Sequence, residues 1–65
     1  MSVYVAFIYD NEQEKYIDYT QAFKDIEACE RVARKLCEQW QKDEQTDDTC
    51  RFQYDIRELE VFESE

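Results

Sequence analysis

The chain has no glycine, no proline and no histidine among its 65 residues, where average usage would give roughly eight Gly plus Pro. Without glycine there is no P-loop and no dinucleotide fingerprint, since both cradle phosphate on glycine backbone. Without histidine the usual general base, proton shuttle and commonest metal ligand are missing. Positive charge is scarce as well: 8 Lys and Arg stand against 17 Asp and Glu, for a formal net charge of −9. No apolar run approaches the ~20 residues of a membrane span. These absences argue against an enzyme. They also argue against direct binding to DNA, RNA or an anionic membrane, which the acidic field would oppose.

Cysteine is sparse and odd in number: Cys29, Cys37 and Cys50. That is poor material for a disulfide framework. The start, Met1-Ser2-Val3-Tyr4, shows no basic region before a strand pattern begins, so no signal peptide is expected. The expectation is a cytoplasmic protein whose three thiols are free and act as small buried hydrophobes. The 29/37/50 spacing holds no CxxC and no histidine can complete it, so neither a metal nor a cofactor is expected.

Aromatic side chains, by contrast, are plentiful. Four Phe, five Tyr and one Trp make up 15% of the chain, far from the profile of an acidic disordered segment. They point to one small domain spanning residues 1–65, which buries only about 60% of its unfolded surface.

Val3 to Tyr9 is apolar on both faces, with Val3, Val5, Phe7 and Tyr9 on one and Tyr4, Ala6 and Ile8 on the other. That pattern belongs to a strand at the centre of a sheet. Residues 10–15 form a polar turn, in which Asn11 is the residue best able to take a left-handed conformation. Tyr16 to Phe23 reads as a second strand, with Ile17, Tyr19 and Phe23 on one side and Asp18 and Thr20 on the other. From residue 25 to about 44 the period is helical: Ile26, Cys29, Val32, Ala33, Leu36, Cys37 and Trp40 fall within an arc of about 140°. Asp25 suits the N-cap, and Glu27–Arg31 and Glu30–Arg34 are i,i+4 pairs. With no glycine to close it, the helix is expected to fray from Asp43 onward. Cys50, Phe52, Tyr54 and Ile56 then alternate with polar residues, before the apolar parity shifts to Leu59 and Val61. A β-bulge near Arg57–Glu58, or a turn into a fourth strand, would account for the shift.

The order hairpin–helix–strand predicts an α+β fold, β-β-α-β, with a three-stranded antiparallel sheet of order 2-1-3 and one helix on one face. The uncovered face would carry either the Val5/Phe7/Tyr9 row or the Tyr4/Ala6/Ile8 row, depending on hairpin register. A homodimer is expected to cover it.

Candidate catalytic features are weak. Seventeen acids always supply some pair at a glycosidase-like spacing, and Cys29, Cys37 and Cys50 fall on apolar faces away from any activating base. Residues 43–48 lack the glycine and the twelfth-position glutamate of an EF-hand loop. The charge distribution is more informative. Residues 1–20 carry −3, residues 21–42 carry +1 and residues 43–65 carry −7. Asp47, Asp48, Glu58, Glu60 and Glu63, flanked by Asp43, Glu44 and Glu65, could present carboxylates as an imitation of the phosphates of duplex DNA, which lie at one charge per ~1.7 Å of axis. The bland alternative is that the acids serve solubility.

In size, acidity, aromatic content and element order, the whole chain resembles small phage-encoded inhibitors of host DNA-acting proteins. The inhibitors of uracil-DNA glycosylase and several anti-CRISPR and anti-restriction proteins belong to this group. They share a strategy rather than a motif, so no functional residue transfers by alignment. The resemblance implies a partner with a basic nucleic-acid-binding groove, blocked by competition with DNA. The resulting expectation is a non-enzymatic inhibitor docking on a basic protein. The alternatives are a homodimerising structural domain, or an antitoxin-like or immunity-like binder of a basic enzyme.

Overall fold

The computed structural model describes residues 1–62. Four elements follow one another: β1 (Ser2–Asp10), β2 (Lys15–Tyr19), α1 (Ile26–Asp43) and β3 (Phe52–Glu60). The strands form one antiparallel sheet of order β2-β1-β3, and α1 packs against it. The predicted α+β layout and strand order are therefore observed.

The two-faced apolar character of β1 has its cause in this position. Ala6 and Ile8 are fully buried beneath α1, where they meet Cys29, Ala33 and Phe52. Tyr4, Leu36, Cys37, Trp40, Tyr54 and Ile56 close the rim of this core. The Tyr4/Ala6/Ile8 row thus lies on the helix side, with Ile8 in the core and Tyr4 at its rim, which takes both out of the open face as candidates for a subunit interface. The Val5/Phe7/Tyr9 row is the one left on the open face.

Asp25 caps α1 as the sequence predicts, its side chain accepting from the Glu27 N–H at 3.0 Å. Of the two i,i+4 pairs, Glu30–Arg34 is formed. The apolar face is narrower than the periodicity suggests. Ile26 is 48% exposed, because α1 enters the core only from Cys29 onward. The helix ends at Asp43, with Glu44 as its C-cap. Gln45 takes a left-handed φ of 51°, its N–H bonds the Lys42 carbonyl at 3.1 Å, and the Thr46 N–H bonds the Gln41 carbonyl at 3.3 Å. This is a Schellman closure in which glutamine stands where glycine is usual.

Three further expectations are corrected. The positive φ in the hairpin falls on Glu14, at 56°, not on Asn11. Asn11 instead donates its side-chain amide to the Cys50 and Arg51 carbonyls, at 2.8 and 3.1 Å. The register irregularity lies between β1 and β2, at Ile8/Tyr9, so that Tyr16 pairs with Tyr9 and Asp18 with Ile8. Ile17 is the extra residue and packs on the core, while Tyr19 stands opposite Phe7. The second strand proper ends at Tyr19, and Phe23 joins the sheet through an isolated bridge to Tyr4.

β3 carries no bulge and no fourth strand follows it in the described residues. It pairs with β1 without a break from Phe52–Asp10 to Glu60–Ser2. The apolar parity shifts because the helix stops covering the sheet near Tyr4, which bridges Phe23 just before α1. Beyond that point the helix-side positions Glu58 and Glu60 meet solvent, and Leu59 joins Val3 on the open face.

Candidate functional site: an open aromatic face between two acidic ends

The uncovered side of the sheet is built by the odd residues of β1 and β3. Val3, Val5, Phe7 and Tyr9 run down its centre, with Leu59, Arg57, Asp55 and Gln53 opposite them in register. β2 contributes Tyr16 and Tyr19. The Tyr16 ring stands edge-on to Phe7 and Tyr9, with centroids 6.0 and 5.1 Å apart. A shallow groove of about 340 Å³ is lined by Phe7, Tyr16 and Arg57. Tyr16 is 51% exposed and Tyr19 70%. The charged residues that β3 places on this face, Asp55 and Arg57, pair with each other at 3.2 Å, so the face is close to neutral in a chain of net charge −9.

The exposed acids gather at the two ends of the sheet. At one end the hairpin turn and the α1–β3 loop come together, held by the Asn11 amide on the Cys50 and Arg51 carbonyls. This joins Glu12 and Glu14 to Asp43, Glu44, Asp47 and Asp48. Asp47 and Asp48 are exposed there. Glu58 and Glu60 are exposed at the far end of β3, on the helix side of the sheet, where Glu58 accepts from the Ser2 hydroxyl at 3.3 Å. Six residues of strand at about 3.3 Å each put roughly 20 Å between Phe52 and Glu58. The structure therefore brings Glu58 and Glu60 together but separates them from Asp47 and Asp48. Glu63 lies outside the described residues. Glu12 and Glu14 were missed in the sequence because they belong to the first third of the chain. They join this end only once the hairpin has docked against residues 50 and 51.

Beneath the acidic end lies a buried ion pair, equally invisible in the sequence. The Asp10 carboxylate is fully buried and receives both Nε and Nη2 of Arg51 at 3.1 Å. It also accepts the Glu12 N–H at 2.9 Å and the Gln13 side-chain amide at 2.9 Å. The Arg51 hydrogen bonds, helped by those of the Glu12 and Gln13 backbone, outweigh the opposing effect of burial and hold the Asp10 pKa at about 2. Arg51 also reaches Glu12 at 3.4 Å and lies over the Phe52 ring at 4.8 Å. This pair anchors the turn, and its groups are occupied by one another, by Glu12 and by Gln13.

The thiols are spread over three environments, which corrects the expectation that all three are core residues. Cys29 is buried, Cys37 is half-buried and Cys50 is exposed in the loop before β3. Burial, and after it the charge of Glu38, push the Cys37 thiol above its ordinary pKa, which opposes thiolate formation. Among the described residues no group of His, Cys, Asp and Glu is placed to hold a metal ion. No helix among them is long and apolar enough to cross a membrane. Comparison with protein-family models, with curated proteins and with solved structures found no match to this chain.

Proposed function

We propose that this chain is a non-catalytic binding module that docks on a basic, nucleic-acid-binding surface of a partner protein and blocks it. The observation that carries the reading is the neutral aromatic strip of the open face, Phe7, Tyr9, Tyr16 and Tyr19, on a sheet whose two ends carry exposed carboxylates. Protein interfaces combine an aromatic-rich, charge-poor centre with a polar rim. Here the rim is acidic, which selects a cationic partner and speeds its approach. The placement at two ends favours this over a continuous row of phosphate mimics. The aromatic strip supplies the contact, and the carboxylates occupy positions where nucleic acid would otherwise bind. The chain is proposed to act in the cytoplasm, where its three thiols remain reduced.

Affinity capture from a cell lysate tests this. Bait chains would be the wild type, a Phe7→Ser/Tyr16→Ser variant and a Glu58→Gln/Glu60→Gln variant. A partner retained by the wild type, lost by the aromatic variant and released by salt or by duplex DNA supports the proposal. A partner held equally by all three baits, and released by neither salt nor DNA, overturns it.

A further inference from the structure

The order β2-β1-β3 leaves β3 at an edge. It is nine residues long, pairs with β1 without irregularity and contains neither proline nor glycine. The opposite edge, β2, is five residues long and adjoins the bulge. At the two ends of the β1–β3 ladder the Asn11 N–H bonds the Arg51 carbonyl, and the Val61 N–H bonds the Met1 carbonyl. On the other side of β1, Tyr4 exchanges both its bonds with Phe23, and the Thr20 N–H bonds the Ala6 carbonyl. Odd residues thus join β1 to β3, because an antiparallel ladder alternates. It follows that Phe52, Tyr54, Ile56, Glu58 and Glu60 direct their N–H and C=O groups outward. No turn or side chain among the described residues bonds these groups. Such an edge is a template for another strand.

We infer that the occupant of this edge is a second copy of the chain, paired antiparallel through β3 about a two-fold axis at Ile56. A two-fold axis normal to the sheet pairs odd residues with odd and even with even, so only a few registers exist. Centring on Asp55, Arg57 or Glu58 sets that charge against itself. Centring on Tyr54 brings Arg51 opposite the partner's Arg57. Centring on Ile56 pairs all nine residues of β3, and it sets Asp55 opposite the partner's Arg57 and Arg57 opposite the partner's Asp55. Tyr54 then faces the partner's Glu58, and Gln53 faces the partner's Leu59, with no like charges opposed. The strand's charge sequence is therefore complementary to its own reverse. Within one chain Asp55 pairs with Arg57 at 3.2 Å and accepts from the Tyr16 hydroxyl at 3.4 Å, while Asp55 and Arg57 remain about half exposed, so a cross-strand contact can replace the intrachain pair. The product is a continuous six-stranded sheet with both helices on one side. The open aromatic faces join on the other side and stay free for the partner proposed above, whose existence this inference does not require.

Sedimentation equilibrium and amide hydrogen exchange on the intact chain provide the test. The wild type is expected to dimerise, and raising its concentration should slow exchange at Tyr54, Ile56 and Glu58 by about tenfold or more. Asp55→Arg and Arg57→Asp should each raise the dimer dissociation constant about tenfold or more, since each opposes like charges twice. An equimolar mixture of the two variants should recover a heterodimer of near wild-type affinity, because each chain supplies the charge the other lacks. The intrachain pair stays broken in that mixture, so recovery reports the cross-strand contact alone. A wild type that remains monomeric at every concentration overturns the inference. So does a dimer whose Tyr54, Ile56 and Glu58 amides exchange independently of concentration, which would place the second copy on the open face.

Discussion

Single side chains settle matters here that a glycine-free and proline-free chain cannot leave to its backbone. Asp10 closes β1 and, through Arg51, ties the hairpin to the start of β3. Its folded pKa of about 2 lies below the 3.8 ordinary for an aspartate. The unfolded chain therefore takes up a proton first as pH falls. The stability this group contributes is fully present above about pH 4 and is lost as pH drops toward 2. Acid titration of the unfolding free energy should show a steeper decline in that window for the wild type than for Asp10→Asn. Parallel curves for the two would remove Asp10 as the source. Thiol labelling is a second check at this scale. Cys50 should react first in the folded protein, Cys37 slowly because burial raises its pKa, and Cys29 only on unfolding. Rapid native-state labelling of Cys29 would contradict the packing of α1 on the sheet.

At the level of elements, the helix shows what a sequence reveals and what it conceals. Its start, its period and its N-cap are local properties, and all were readable from Asp25 and the spacing of Cys29, Ala33 and Leu36. The position of β1 was equally legible, because only a central strand needs apolar residues on both faces. What pairing decides was not legible. The bulge that sends Ile17 to the core and Tyr16 to the open face depends on register against Ile8 and Tyr9. Asp10 and Arg51 are 41 residues apart, and each reads as an ordinary surface charge until β3 is in place. The closure of the helix end is illegible for a related reason: Gln45 adopts a conformation that glycine would take at less cost. Gln45→Gly should accordingly stabilise the protein by about 1 kcal/mol, raising the melting temperature by roughly 4–8 °C in a domain of this size. Ala33, fully buried against the sheet, sets how closely α1 approaches. Ala33→Leu should cost about 1–3 kcal/mol through overpacking, read as a lower urea midpoint with an unchanged slope.

For the molecule as a whole, a charge of −9 on 65 residues is a self-repulsion that folding must overcome. The structure shares it between two ends rather than one C-terminal third, which lessens the repulsion and places acids at both ends of the sheet. About 20 Å of strand separates Phe52 from Glu58, roughly twice the screening length of ~8–10 Å at ordinary salt. The two ends should therefore behave independently. Asp47→Asn/Asp48→Asn and Glu58→Gln/Glu60→Gln should each raise the melting temperature at about 0.1 M salt, and the four changes together should raise it by the sum of the two effects. Added salt should stabilise the wild type and abolish both gains, since screening then does what neutralisation did. The Asp10–Arg51 pair, shielded from solvent, should persist throughout. Calorimetry across a salt series reads all of this without knowledge of any partner. A melting temperature that falls with salt would mean that the exposed charges attract on balance. Clearly non-additive variants would mean that the two acidic ends share one field, as a single continuous acidic surface would.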